Sequence, residues 1–363
     1  MWRRLALRGF PWSNGDINRI RVVLREVMSK SIKILFLLLG VGLLFLVIAE
    51  TDTAQLLHHV TSVGFSGICL ILIVYVFYFG SDVLSWQVVL IKSRLSLRWF
   101  LRLYAARMVG EAYNNITPTA SLGGEPIKAW LLKANWGVSL RDSGSSLVIT
   151  KTASMLSLSI FGALGVFLML EEAAFSVAEK NAAIASVIFV IFSTIVFFLM
   201  QYLRFSSSIT KKLGRFEFAK KLASSFAAVE DIDDQFVSFY KRHYVRAFFS
   251  CLAAMCSWLF GVLEIYVILY LIGFPLSIQE VFIVESVVQL VRVVTFFIPA
   301  GLGTQEGAFL FTIGALTGLP AVGVATALLR RFRDFIWIAG SLVLASFYSI
   351  KPWSSSINSV EDG

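Results

Sequence analysis

The chain has 363 residues, of which 57% are hydrophobic and 15% charged, and its mean hydropathy is +0.78. This composition excludes an ordinary soluble globular protein and predicts an all-α polytopic membrane protein. The net charge of +9 does not indicate a nucleic-acid partner, because Lys and Arg cluster between the apolar stretches, as the positive-inside rule requires.

The N-terminal region predicts two membrane spans and a cytoplasmic N-terminus. A basic segment, residues 1–33, precedes a first span at Ile34–Ala49, and no Lys or Arg follows until the second span, Phe65–Ile91, has ended. The first apolar stretch is too long for a typical signal peptide, so we expect it to remain in the membrane.

A polar run then interrupts the apolar sequence. Thr117–Leu132 reads Thr-Pro-Thr-Ala-Ser-Leu-Gly-Gly-Glu-Pro-Ile-Lys-Ala-Trp-Leu-Leu. Helices are predicted on either side of its start, over Ser96–Asn115 and Gly123–Asn135, and each is too short or too polar for an ordinary span. This pattern is typical of a re-entrant helical hairpin, whose irregular backbone is tolerated where protein or water surrounds it.

The middle of the chain predicts two further spans and a surface segment. Ser139–Leu170 forms a long apolar helix with Lys151 about ten residues from its start, and Ala182–Leu203 crosses back. The basic linker 204–246 has apolar residues at near-helical spacing, which indicates an amphipathic helix on the cytoplasmic surface. A solvated linker is the alternative.

A second polar run, Ile298–Gly307, follows a span at Ala247–Ile272 and an apolar helix at Ile278–Ile298. A short helix to Thr317 and a Gly-Leu-Pro break lead to a final helix that ends near Ser349. The remaining residues, 351–363, form a polar tail.

The two polar runs predict an internal repeat over residues 65–170 and 247–350. In each run a glutamate, Glu125 or Glu306, lies seven residues after the first proline, and the preceding span ends 27 residues before that proline. The predicted spans run in opposite directions, so the repeat is inverted, as in many secondary transporters. We therefore expect about six full spans plus two re-entrant hairpins.

Charged residues at membrane depth are candidates for a substrate site, because burying each one costs about 2.5–3.5 kcal/mol. Glycines before a short helix also let an anion approach the helix N-terminus. An excess of positive charge favours an anionic headgroup. The candidate substrate-binding residues are Gly123, Gly124, Glu125, Lys128, Lys151, Gly301, Gly303, Glu306, Arg330 and Arg331.

Each candidate also has a structural interpretation. Glu125 and Glu306 are suited to cap helix starts or to pair internally with Lys128, Lys151 or Arg331. Arg330 and Arg331 reach a membrane interface if the last helix starts later than predicted. Arg107 and Glu111 stand one turn apart, as in an ion pair on a helix surface.

The segments Gly123–Ala129 and Pro299–Gly307 resemble the two hallmark motifs of the lysylphosphatidylglycerol synthetase transmembrane region, or flippase-like domain, family. The resemblance covers about residues 30 to 350. It implies a lipid-translocating fold and functional roles for the motif residues Gly123, Gly124, Glu125, Lys128, Gly301, Gly303 and Glu306. Relatives often have an arginine where this chain has Gln305, which implies a different substrate preference. The chain ends at Gly363 without a soluble synthetase domain, so the resemblance does not imply synthetase activity.

The sequence therefore predicts a translocase that moves an anionic or amphiphilic lipid between leaflets of the bacterial inner membrane, with a lipid-modifying enzyme as a possible partner. We expect no catalytic residue, metal or cofactor. A membrane-embedded headgroup transferase, with Glu125 or Glu306 as general base, and a non-catalytic scaffold are the alternatives.

Overall fold

The computed structural model describes residues 62–116, 124–202, 236–296, 298 and 301–347. The basic segment 1–33, the span predicted at Ile34–Ala49, Gly123 and the tail 351–363 lie outside this range. Residues 204–235 of the predicted amphipathic linker lie outside it as well.

The described residues form helices and contain no strand, which confirms the all-α prediction. Residues 236–242 form a short helical segment. The longer helices are α1 (Gly64–Val89), α2 (Leu97–Ile116), α3 (Gly124–Trp136), α4 (Leu140–Glu171), α5 (Val177–Tyr202), α6 (Tyr244–Leu271), α7 (Ile278–Val294), α8 (Thr304–Thr317) and α9 (Pro320–Phe347).

Local capping explains where several helices begin. At the start of α7, Ser277 N–H donates to the Glu280 carboxylate at 2.7 Å and the Glu280 N–H donates to Ser277 Oγ at 3.2 Å. This capping box satisfies two of the donors that a helix start leaves free. Ser176 and Glu179 make the same exchange before α5, so α5 starts at Val177, five residues earlier than predicted.

Four helices, α1, α4, α5 and α6, are long and apolar enough to cross a membrane. Many of their large apolar side chains face outward, including Phe77 in α1 and Phe192 in α5. The protein is therefore a multi-pass membrane protein. α9, which was predicted as a full span, is absent from this group because Arg330, Arg331, Arg333 and Asp334 occupy its middle.

The helices of the two predicted repeat halves have similar lengths and packing. α1 to α4 contain 26, 20, 13 and 32 residues, and α6 to α9 contain 28, 17, 14 and 28. In each half the second and third helices form a hairpin. The second helix of each half also packs against the fourth helix of the other, α2 on α9 and α7 on α4.

The counterpart helices α1 and α6 run antiparallel along their shared interface. Gly67 near the start of α1 faces Leu271 at the end of α6. Phe77 stacks on Phe260 in the middle, and at the other end Ser85 shares a 2.8 Å hydrogen bond with Ser250. This first pair of corresponding helices thus points in opposite directions.

Close contacts between helices predict where an added methyl group is not tolerated. A Cβ at Gly323 in α9 would lie 2.4 Å from Phe309 O and 2.7 Å from Leu310 Cα, both backbone atoms of α8. Gly323→Ala is therefore expected to destabilise the protein by about 1–3 kcal/mol. Gly340, in the same helix, has open space around it, so Gly340→Ala should be neutral or stabilising by up to about 1 kcal/mol. Thermal unfolding in detergent compares the two, and equal stability would contradict the packing.

Candidate functional site

The second half contains a network of buried charges, in which Glu264 and Glu285 are fully buried. Arg330 of α9 reaches Glu285 of α7 through two hydrogen bonds, Nη1 to Oε2 at 2.7 Å and Nη2 to Oε1 at 2.9 Å. Gln289, one turn along α7, donates a third hydrogen bond to Glu285 at 2.7 Å. This bidentate geometry is the strongest arrangement available to an Arg and a carboxylate.

A second arginine extends this network to α6. Arg333 Nε lies 2.8 Å from Glu264 Oε1, and Arg333 Nη2 donates to Oε2 at 3.0 Å. Glu264 also lies 3.6 Å from Arg330 Nε, so the two arginines share it. The Arg333 guanidinium stacks over the Tyr75 ring of α1 at 3.7 Å, a cation–π contact. The network thus joins α1, α6, α7 and α9.

Glu306 connects the second polar run to α9 through its ion pair with Arg331. Its carboxylate accepts a hydrogen bond from Gly303 N–H at 2.8 Å and one from Arg331 Nε at 2.5 Å. Arg331 also donates to Gly301 O at 3.1 Å. Gly301 and Gly303 have φ values of +59° and +75°, which glycine adopts without strain. Glu306 therefore both caps α8 and forms an internal ion pair.

These second-half charges are buried and paired with one another. Glu264, Glu285 and Glu306 are fully buried, and Arg330 is 3% exposed, so Arg330 does not lie at an exposed interface. Charges removed from water in this way are tolerated when opposite charges and hydrogen bonds compensate them. Their geometry is that of a structural network holding four helices together.

The first-half polar run is built differently. Lys128 Nζ donates to Glu125 Oε1 at 2.7 Å, and 37% of the Glu125 side chain stays exposed. The N–H of Gly124, at the start of α3, donates to Asn114 Oδ1 of α2 at 2.6 Å. A Cβ at Gly124 would meet Gly110 O at 2.0 Å, so glycine is required for this approach. The α2–α3 hairpin thus presents a half-exposed carboxylate beside a close backbone contact.

Arg107 does not lie on a helix surface as the sequence suggested. Its guanidinium forms a salt bridge with Asp82 of α1, and both side chains are mostly buried. It also lies over the Phe79 ring at 5.2 Å. The pair connects α1 to α2 on the side where Glu125 lies, since Arg107 interacts electrostatically with Glu125.

Lys151 is the exposed cation of this region. It lies in α4, about 16 Å along the helix axis from Leu140 at 1.5 Å per residue, and its side chain is exposed. Within the described ranges it makes no hydrogen bond or ion pair. Asp82, Arg107, Glu125 and Lys128 are all close enough to interact with it electrostatically. An ammonium in this position remains available to a ligand.

Tyr78 of α1 connects the two groups of charges. It interacts electrostatically with Asp82 of the first half and with Glu285 and Arg330 of the second. Arg292 of α7, which is exposed, also interacts electrostatically with Tyr78. Tyr78 is thus within electrostatic range of charges from both halves.

Asp82, Glu264 and Glu285 were not among the site residues predicted from the sequence. Asp82 and Glu264 each stand inside an otherwise apolar helix. A single carboxylate in an apolar helix could have predicted a buried ion pair, because a charge at membrane depth needs a partner from another helix.

The chain matches one family model over most of its length. The model, described as the lysylphosphatidylglycerol synthase TM region, matches residues 32–340, which include both polar runs. A UPF0104 membrane protein of Methanothermobacter thermautotrophicus is 22% identical over 261 residues, covering 67% of this chain and 74% of that protein. No solved structure significantly matches the chain.

Proposed function

Because the chain belongs to the lysylphosphatidylglycerol synthase transmembrane-region family, we propose that it moves an anionic or amphiphilic lipid between the leaflets of the bacterial inner membrane. In this proposal its N-terminus is cytoplasmic and its α2–α3 and α7–α8 hairpins are re-entrant between about six spans. It changes the location of the lipid and not its covalent structure.

The observation that carries the proposal is the exposed Lys151 ammonium within a bundle of apolar helices. A charge at this depth is costly unless it faces an aqueous cavity or a ligand. Half-exposed Glu125 stands close enough to interact with it. A cation beside a partly neutralised carboxylate suits a headgroup that carries a phosphate, alone or with a cationic group.

The packing of the two halves supports alternating access. Counterpart helices α1 and α6 run antiparallel, and each half contributes one helical hairpin. Transporters of this kind bind their substrate where broken helices of two inverted halves meet, and one half rocks against the other. The fully paired network of Glu264, Glu285, Arg330 and Arg333 gives the second half a rigid frame for such a movement.

In this proposal the lipid headgroup binds to residues of the first half. Lys151, Glu125, Lys128, Gly124 and the adjacent Gly123 form its binding region. Glu306, Arg330 and Arg331 were also predicted from sequence to bind substrate, but each has a partner within the protein. Glu306 and Arg331 hold Gly303 and Gly301 in place, and Arg330 pairs with Glu285.

Leaflet exchange in proteoliposomes tests this function. A lipid with a fluorophore that an external reductant quenches should exchange at least tenfold faster with the protein than in protein-free vesicles. The lipids are recovered afterwards and analysed by mass spectrometry. Exchange at the protein-free rate across anionic and zwitterionic lipids would refute the translocase. A new covalent product formed in the presence of cell extract would indicate a headgroup transferase instead.

A further inference from the structure

A polar cavity lies at the end of the bundle where α1 ends and α4 begins, and none of the charged residues discussed above lines it. It is a half-open cleft with a volume of about 460 Å³, lined by the end of α1, the start of α4 and the helical segment 236–242. This volume lies within the usual range for small-molecule sites. Its charged and polar lining consists chiefly of Lys92, Arg141, Asp142, Ser238, Arg242 and His243.

The walls of this cavity are held in place by buried apolar contacts. Phe236 and Phe239 of the helical segment pack against Val89 of α1 and Ile149 of α4. Lys92 and Asp142, which both line the cavity, form an ion pair at 2.6 Å. The segment is therefore fixed on the helix ends, and the space beneath it is part of the fold.

The lining carries an excess of positive charge. Among the described lining residues, Lys92, Arg141 and Arg242 are cationic, and the carboxylate of Asp142 is paired with Lys92. Arg242 is exposed and makes no hydrogen bond or ion pair with any described residue. Arg141 stands in the first turn of α4, where the helix dipole adds further positive potential. The cavity is thus suited to a single phosphate group.

An apolar stripe continues from the cavity along the outside of α6. Val245, Phe248, Phe249 and Leu252 are each about half exposed, and their i, i+3, i+4, i+7 spacing places them on one helix face. The stripe begins directly after Arg242 and His243. Positive charge followed by an exposed apolar surface matches a lipid with an anionic headgroup and acyl chains.

We propose that this cavity binds the phosphate of an anionic phospholipid, with its acyl chains lying along the exposed stripe of α6. The site is separate from the translocation region around Lys151. Ile149 lines the cavity, and Lys151, two residues later, is rotated by about 200° around α4. The bound lipid links α1, α4 and the segment 236–242, and so stabilises the end of the bundle.

Thermal unfolding in a neutral detergent, titrated with phosphatidylglycerol or phosphatidylcholine, tests the site. Phosphatidylglycerol should raise the melting temperature saturably, and phosphatidylcholine should not. Arg242→Gln should require at least tenfold more phosphatidylglycerol for half of the effect, the loss expected for one charge-assisted hydrogen bond. Arg94→Gln removes an exposed charge outside the cavity and should behave as wild type.

Three outcomes would overturn the proposal. Equal stabilisation by phosphatidylcholine would show that the site does not recognise the net negative charge of the lipid. An equal loss in Arg94→Gln and Arg242→Gln would indicate nonspecific attraction. Full stabilisation by inorganic phosphate alone, at the same concentration, would assign the cavity to a soluble anion. Lys151→Met should leave this lipid binding intact even though it lowers leaflet exchange, so that failure of the cavity and failure of the translocase are distinguishable.

Discussion

Replacing Glu285 by leucine is expected to lower the free energy of unfolding by about 3–5 kcal/mol, because Arg330 would stay buried without its bidentate partner. The remaining carboxylate, Glu264, is 3.6 Å from Arg330 Nε and is already engaged by Arg333. Thermal or denaturant unfolding in detergent measures the loss. This loss of stability should exceed the loss caused by replacing any single exposed charged residue of the chain.

Two further variants decide whether the loss comes from the unpaired charge. Glu285→Leu combined with Arg330→Met removes both charges together, and this double variant should recover most of the stability, since an apolar pair of similar volume often replaces a buried ion pair without loss. Glu171→Leu, at the exposed end of α4, should change stability by less than about 0.5 kcal/mol. If Glu285→Leu were no worse than Glu171→Leu, the network would not be structural.

Replacing Lys151 by methionine is expected to slow leaflet exchange of an anionic lipid at least tenfold. One charge-assisted hydrogen bond to the headgroup contributes about 1.5–3 kcal/mol, and each 1.4 kcal/mol is a factor of ten in rate when that contact is made in the transition state. Exchange is measured in proteoliposomes with a quenchable lipid. The melting temperature should stay close to wild type, because Lys151 has no ion-pair partner among the described residues.

Lys133→Met is the matched control for this variant. Lys133 is exposed in the last turn of α3, so its replacement makes the same change in charge away from the proposed site. It should exchange lipid as wild type does. Equal loss in both variants would show that net charge, and not the position of Lys151, controls the rate.

The positions where helices begin and end were predictable, because they depend on residues that are close together in the sequence. A glycine pair, a proline or a Ser-x-x-Glu pattern acts within one helical turn. Accordingly α8 ends at Thr317 and α3 ends at Trp136, as the breaks at Gly318 and Gly137 indicate.

The partners of Asp82, Glu264 and Glu285 were not predictable, because they depend on which helices meet. The pairs that Glu125 forms with Lys128 and that Glu306 forms with Arg331 were among those predicted from the sequence. Consecutive residues of a helix point about 100° apart. Arg330 therefore reaches α7 while Arg331 turns to α8 and pairs with Glu306. Nothing in the local sequence of Asp82 or Glu264 identifies the helix that supplies its arginine. The exposure of Lys151 and Glu125, in contrast to the burial of Glu264, Glu285 and Glu306, is a property of the packed bundle.

Chemical rescue at position 151 tests the central claim most directly. After Cys69, Cys251 and Cys256 are replaced by serine, Lys151→Cys should exchange lipid slowly in proteoliposomes. Aminoethylation of the new thiol with a small thiosulfonate restores an ammonium there, and we predict that it restores exchange, whereas a neutral reagent of similar size does not. A Thr326→Cys variant, buried in α9, should react only after unfolding. A thiol at position 151 that does not react in the native protein, or that reacts and remains inactive after aminoethylation, would contradict an accessible headgroup site at Lys151.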